Sequence, residues 1–188
     1  MGQYYKAVNI DNLEYVSSYD FDNGAKLMEH SYISNNFVEA VEFLLINDGE
    51  EKGRWADSSI IWAGDYADYE FNIGGDGNPA DNYYSLVSDK GTRLKFLITA
   101  VPDNYPYLVN HTEKEYVDKK KLPTFGENND WMIHPLPLLV AEGNGRGGGD
   151  YHGLGQDYVG RWARCIVNLM KEIPEGYTEI QPDFLETR

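Results

Sequence analysis

The string Gly-Arg-Trp-Ala occurs twice in this chain, as Gly53-Arg54-Trp55-Ala56 and as Gly160-Arg161-Trp162-Ala163. Two other strings repeat in the same order. Val8-Asn9 followed by Glu14-Tyr15-Val16 returns as Val109-Asn110 followed by Glu115-Tyr116-Val117, and Met28-Glu29-His30 returns as Met132-Ile133-His134. The separations are 109 − 8 = 101, 132 − 28 = 104 and 160 − 53 = 107. A slowly growing offset is the pattern of a tandem duplication with small insertions. Such a chain is strongly constrained: each copy would leave an apolar face bare, and packing the copies about a pseudo-twofold axis buries both faces in one core. The expected organisation is a single domain over residues 1–188. It is built from two related halves, about 3–100 and 104–173, with an extended tail after them.

Local patterns suggest what each half contains. Residues 4–9 alternate and are rich in aromatic and β-branched side chains, Asp11-Asn12 is a turn signal, and Glu14-Tyr15-Val16-Ser17 reads as the returning strand of a hairpin. Residues 105–118 read as a second hairpin. Phe37, Val41, Leu44 and Leu45 fall on one face of a helix that Ser34 or Asn35 can cap and Asp48-Gly49 ends. Residues 58–63 read as a buried strand, and the repeat makes 164–170 its counterpart. Residues 82–88 suit a short helix, 93–101 a strand by composition, and 136–141 either element. Lys119-Lys120-Lys121 reads as a solvated strand end, and the chain after Pro174 as an extended surface tail. The fold class expected is α+β, mainly antiparallel sheet with a few short helices.

The least ordinary stretch is glycine-rich. Gly143-Asn144-Gly145-Arg146-Gly147-Gly148 matches G-x-G-x-x-G, but Gly149-Asp150-Tyr151-His152-Gly153 after it is no start for the helix that a dinucleotide site requires. No Gly-Lys-Ser/Thr follows, so a P-loop is excluded. Glycines of this kind can turn their N–H groups inward as an anion nest, and Arg146, Arg161 and Arg164 lie in or beside the loop. The candidate ligand residues are therefore Arg146, Gly147, Gly148, Asp150, His152, Arg161, Trp162 and His134. His30, Arg54 and Trp55 are the repeat-related counterparts. The bland alternative is a loop whose arginines pair with surface acids and a Trp that anchors the start of each strand. His30 and His134 could face each other as metal ligands or as an acid–base pair, with His152 and Asp150 contributing, but histidines satisfied by hydrogen bonds are the commoner case. No HExxH, HxH or His-Cys spacing supports a metal, no GxSxG elbow is present, and no cofactor is expected.

Charge narrows the partners. Sixteen Lys and Arg stand against 31 Asp and Glu, a net charge of −15, which disfavours nonspecific nucleic-acid binding and anionic membranes. It permits a basic protein partner. One cysteine, Cys165, excludes an internal disulfide. No apolar run approaches membrane-spanning length and no signal-peptide core precedes the first strand, so a cytoplasmic location is expected. The sequence leaves the oligomeric state open.

Several strings resemble a widespread family of uncharacterised bacterial proteins: the opening Met1-Gly2-Gln3-Tyr4-Tyr5-Lys6-Ala7-Val8-Asn9, Asn23-Gly24-Ala25-Lys26-Leu27, the Gly-Arg-Trp-Ala string, and Ala63-Gly64-Asp65-Tyr66-Ala67-Asp68. The resemblance spans most of the chain. It implies a bacterial intracellular protein and carries over no activity, cofactor or catalytic residue. Two functions are expected from the residues. One is a binding or interaction protein with an acidic surface, regulatory or immunity-type, for a basic partner. The other is a small enzyme acting on an anionic or nucleotide-like substrate at the 143–153 loop.

Overall fold

A computed structural model describes residues 2–70, 73, 82–95, 97–128, 130–144 and 147–186. Tyr5–Asn9 (β1) and Glu14–Val16 (β2) form the first hairpin, with Ala7 opposite Val16 and Asn9 opposite Glu14. Asn9 Oδ1 closes its turn by accepting from the N–H groups of Asp11 and Asn12. Leu27–His30 (α1) is one helical turn, and Asn36–Leu44 (α2) is the amphipathic helix. Asn35 caps α2, its Oδ1 accepting from the N–H of Phe37 and Val38. Ile60–Gly64 (β3) pairs antiparallel with β1, and all five of its residues are buried. The reason is a second layer. Tyr83–Lys90 (α3), capped by Asn82, covers the outer face of these strands, its Val87 clustering with Val8, Ile61 and Ala63.

Only Thr92–Arg93 (β4) is strand among the described residues of 92–101. It lies beside β2, and after Leu94 N–H reaches Tyr15 O the neighbouring strand ends, so no ladder continues toward Val101. Tyr107–Asn110 (β5) and Glu115–Asp118 (β6) form the second hairpin, again closed by an asparagine: Asn110 Oδ1 accepts from Thr112 and Glu113 N–H. The apolar run at 136–141 holds both elements. Pro135–Leu139 (α4) begins on a proline, where the missing N–H costs nothing, and Ala141–Glu142 (β7) follows. Gly153–Leu154 (β8), Val167–Met170 (β9), Thr178–Glu179 (β10) and Leu185–Glu186 (β11) complete the chain.

The architecture is α+β, with mixed sheets rather than purely antiparallel ones. One sheet runs β4-β2-β1-β3-β7 and the other β10-β6-β5-β9, with β8 and β11 as a separate pair. The inner strands are antiparallel, while β4, β7 and β10 join them in parallel. The chain after Pro174 is thus built into the fold: β10 lies on β6 as β4 lies on β2. Lys119–Lys121 form a 3-10 turn, and Lys119 is not solvated, because its ammonium reaches the buried Glu42.

The two sheets complete each other. Ser59 and Ile166, which are 107 apart like the Gly-Arg-Trp-Ala strings, bridge one another antiparallel. Trp62 of β3 pairs in parallel with Ala141 just after α4, and Leu169 of β9 pairs in parallel with Ile46 just after α2. Each closing strand therefore finds its outer neighbour in the other part of the chain. Unusual backbone recurs at the same positions. Leu13 and Lys114, 101 apart, have φ of 51° and 54°, while Asp57 and Arg164, 107 apart, have 61° and 66°. Inward side chains of both sheets, α2 and α4 meet in one core around Trp55, Trp62 and Trp162.

The repeated strings meet in a repeated clasp. Glu14 Oε2 accepts from Trp55 Nε1 at 2.9 Å, and the same carboxylate accepts from Arg54 Nε and Nη2 at 3.0 and 2.5 Å. Glu115 accepts from Trp162 Nε1 at 2.8 Å and from Arg161 Nε at 3.0 Å, with Arg161 Nη2 alongside. Both indoles are fully buried, so each N–H needs this acceptor. Arg54 and Arg161 are largely exposed on their outer sides, where water screens the ion pair. The energetic weight of each clasp lies in the indole–carboxylate bond. Glu14→Ala and Glu115→Ala should each lower unfolding free energy by roughly 2–3 kcal/mol in chemical denaturation. Glu14→Gln, which retains an acceptor, should cost less, and Arg54→Ala least of the three. Equal losses for Arg54→Ala and Glu14→Ala would show that the ion pair dominates instead.

Candidate functional site

The residues marked by sequence lie in several places. In the glycine-rich stretch, Arg146 and Gly145 fall outside the described residues. Gly143, Gly147 and Gly149 pack against Tyr5: Tyr5 Oη donates to Gly147 O at 3.1 Å, and a Cβ on Gly149, at φ 62°, would stand 2.8 Å from the Tyr5 ring. Gly148 O accepts from Tyr151 N–H. Asp150 Oδ1 accepts from Met28 N–H at 3.1 Å, in the first turn of α1. Tyr151 is buried and holds β8 to β11 through Leu154 and Leu185, whereas His152 is exposed. The described part of the loop thus straps the start of the chain to its end.

The arginines beside the loop are engaged. Arg161 is on Glu115, and Arg164 lies between Glu142, at 2.6–2.7 Å, and Glu70. Arg54 and Arg93 end on Glu14 and Asp20. Every described arginine therefore meets a carboxylate. Trp162 and Trp55 are core residues of the clasps.

The two histidines adjoin through backbone, His134 N–H donating to Ser31 O, but their rings serve different ends. His30 is fully buried. Its Nδ1 faces Gly24 O at 3.1 Å and so carries the proton, and its Nε2 accepts from Trp62 Nε1 at 2.9 Å. Both nitrogens are used, the ring is neutral, and burial pulls its pKa down to about 4. His134 caps α4: its Nδ1 accepts from Leu136 N–H at 3.2 Å, which leaves the proton on Nε2. That Nε2 lies 3.0 Å from Glu42 Oε1, at contact distance though outside hydrogen-bond alignment. Lys119 Nζ reaches the same oxygen at 2.5 Å. Burial acts to raise the Glu42 carboxyl, but His134 and Lys119 outweigh it and hold it below the usual carboxylate range.

Glu42, His134 and Lys119 line a cavity of about 310 Å³ together with Tyr105 and Pro102. This cavity opens a longer groove. Ile33, Ser34 and Met132 also line a neighbouring cavity of about 280 Å³, which shares Tyr32, Asp130 and Trp131 with a third of about 800 Å³. The groove follows the short antiparallel contact where Tyr32 bridges Ile133 and Ile33 N–H reaches Met132 O. Its wide end has aromatic walls, with Tyr32 and Trp131 edge to face at 5.4 Å between centroids. Of the sites expected from sequence, His134 lines this groove. Asp150 contributes at a distance, since burial and then the charges of Glu186 and Asp150 raise the Tyr32 hydroxyl.

Sequence reasoning missed Tyr32, Glu42, Lys119, Asp130 and Trp131. One signal was present: Trp131 follows Gly126-Glu127-Asn128-Asn129-Asp130, a polar turn, and belongs to neither repeated string. Among the described residues no group of three His, Cys, Asp or Glu is placed to hold a metal ion. Among the same residues no helix is long and apolar enough to cross a membrane. No family model, curated protein or solved structure matches the chain.

The His30 geometry makes pH a probe of the fold. An imidazole held neutral in the folded state but free to charge when unfolded, with pKa about 4 against 6.5, leaves stability unaffected above pH 6.5. Stability is lost as pH falls from 6.5 toward 4, because the unfolded chain then binds the extra proton. The loss across that window is about 3 kcal/mol. His30→Gln retains an acceptor for Trp62 Nε1 and does not titrate. Its unfolding free energy should fall less than wild type between pH 7 and 4, as read by urea denaturation. Parallel pH profiles would refute the assignment.

Proposed function

We propose that this chain is a non-catalytic interaction protein, bacterial and intracellular, that takes a basic protein partner on its acidic surface. In this reading its two related halves arose by internal duplication, and the repeated clasps and strand exchange give a rigid body to that surface. The observation that carries the proposal is the fate of the arginines. All four described ones are tied to carboxylates, in a chain of net charge −15, so the surface left for contact is dominated by unpaired acid. Electrostatic complementarity of this kind steers a cationic partner and sets its orientation. Tyrosines exposed on the same molecule, Tyr4, Tyr19, Tyr66 and Tyr69, suit a protein interface. The chemistry-bearing residues also favour binding over catalysis. His30 has no free nitrogen, and His134 is held between Leu136 N–H and Glu42. The alternative, a small enzyme for an anionic or nucleotide-like substrate at 143–153, has less support, since Arg161 and Arg164 are engaged and His152 stands apart on the surface.

The test is carboxyl-to-amine zero-length crosslinking of the tagged chain in its source cell, followed by mass spectrometry. The expected product is one basic protein in stoichiometric amount, joined through a restricted set of acidic residues. Crosslinks spread over all exposed acids to many proteins would sink the proposal. So would a thermal shift produced by nucleotides or sugar phosphates without any basic partner.

A further inference from the structure

Four tryptophans have two fates. Trp55, Trp62 and Trp162 are fully buried, while Trp131 is 53% exposed. An indole is among the most costly side chains to leave in water, and its cation-attracting face is the strongest of the aromatics. Trp131 is also held in place. Its backbone exchanges both hydrogen bonds with Phe125, and its ring meets Tyr32 edge to face. Tyr32, Phe125 and Trp131 wall the 800 Å³ end of the groove. Its remaining charged lining is acidic throughout: Glu127, Asp130 and Glu186, none of which forms an ion pair among the described residues. The buried carboxylates Glu14, Glu42, Glu115 and Glu142, by contrast, each hold a cation.

We infer that this pocket receives an arginine side chain from the basic protein partner, with the guanidinium stacked on Trp131 and forked by the rim carboxylates. The inference rests on the binding function proposed above and names its recognition site. Charge complementarity selects a cation, and the combination of a flat indole with several carboxylates selects arginine over lysine. A guanidinium presents a planar face to the ring and a fixed fork of donors to carboxylates, whereas an ammonium is a strongly hydrated point charge. The volume exceeds one side chain and accommodates the peptide segment that carries it.

The probe is a set of blocked pentapeptides, Gly-Gly-X-Gly-Gly, with X arginine, citrulline, lysine or glutamine. Binding is followed by the indole N–H signals in ¹H–¹⁵N NMR and by calorimetry. The arginine peptide should bind about tenfold more tightly than citrulline, its neutral isostere. It should shift the Trp131 indole signal and leave the three buried indoles in place. Trp131→Ala should abolish the calorimetric signal. The double variant Glu127→Gln/Asp130→Asn leaves the aromatic wall intact, and should weaken binding several-fold and flatten its salt dependence. Equal affinity for arginine and citrulline peptides, or binding retained within about twofold in Trp131→Ala, would overturn the inference. If a basic partner is captured by crosslinking yet binds Trp131→Ala as well as wild type, this site is wrong and the interaction function stands. If no basic partner is captured, the function itself falls.

Discussion

A buried indole N–H must find an acceptor, and for the two repeated tryptophans, Trp55 and Trp162, the acceptor is a carboxylate on the facing hairpin. Glu14 and Glu115 each stand at the start of a returning strand and take the N–H of Trp55 or Trp162. That bond locks the hairpin to the turn that leads into the closing strand. The neighbouring arginine neutralises the carboxylate from its solvent side, so an acid can sit against the core without an isolated buried charge. The closing strands β3 and β9 then reach across to pair with the segments that follow α4 and α2. Neither sheet is complete without the other part of the chain. The single core and the groove along the Tyr32–Ile133 contact both follow from that exchange.

The same pairing decides the electrostatics of the surface. Cations are scarce, and the clasps, the Asp20–Arg93 pair and the Arg164 bridge take up every described arginine. One lysine is drawn inward as well, Lys119 on the buried Glu42, and Lys171 pairs with Asp48 nearer the surface. The excess acid stays on the outside, and at the wide end of the groove it surrounds an exposed tryptophan. A structure that spends so many of its cations on buried carboxylates leaves acid in excess on its contact surface.

Much of the fold was legible in residue order. Hairpin strands showed as alternation around Asp11-Asn12 and around Thr112-Glu113, and α2 showed as the spacing of Phe37, Val41 and Leu44. The strand expected over 93–101 does not run past Arg93 among the described residues, because composition marks a chain as suited to a ladder without supplying a partner, and β2 ends at Val16. The tail after Pro174 looked irregular for the converse reason: β10 has two residues, and only its neighbour β6 makes them a strand. The candidate site was the least legible part. Met28-Glu29-His30 and Met132-Ile133-His134 read alike, yet His30 lies within α1 and His134 caps α4. The rings meet Trp62 in one case and Glu42 in the other.

Sequence by itself determined the repeated strings, the hairpins they delimit, the apolar face of α2, and the excess of acid over base. These depend on neighbouring residues or on totals, which a linear chain displays directly. Tertiary structure alone decided which carboxylate meets which indole, that the closing strands exchange between the two parts, and that the glycine-rich stretch packs on Tyr5. It alone brought Tyr32, Phe125, Trp131 and Glu186 to one pocket. Those residues are up to 154 positions apart (186 − 32), and no local periodicity carries information across such a distance.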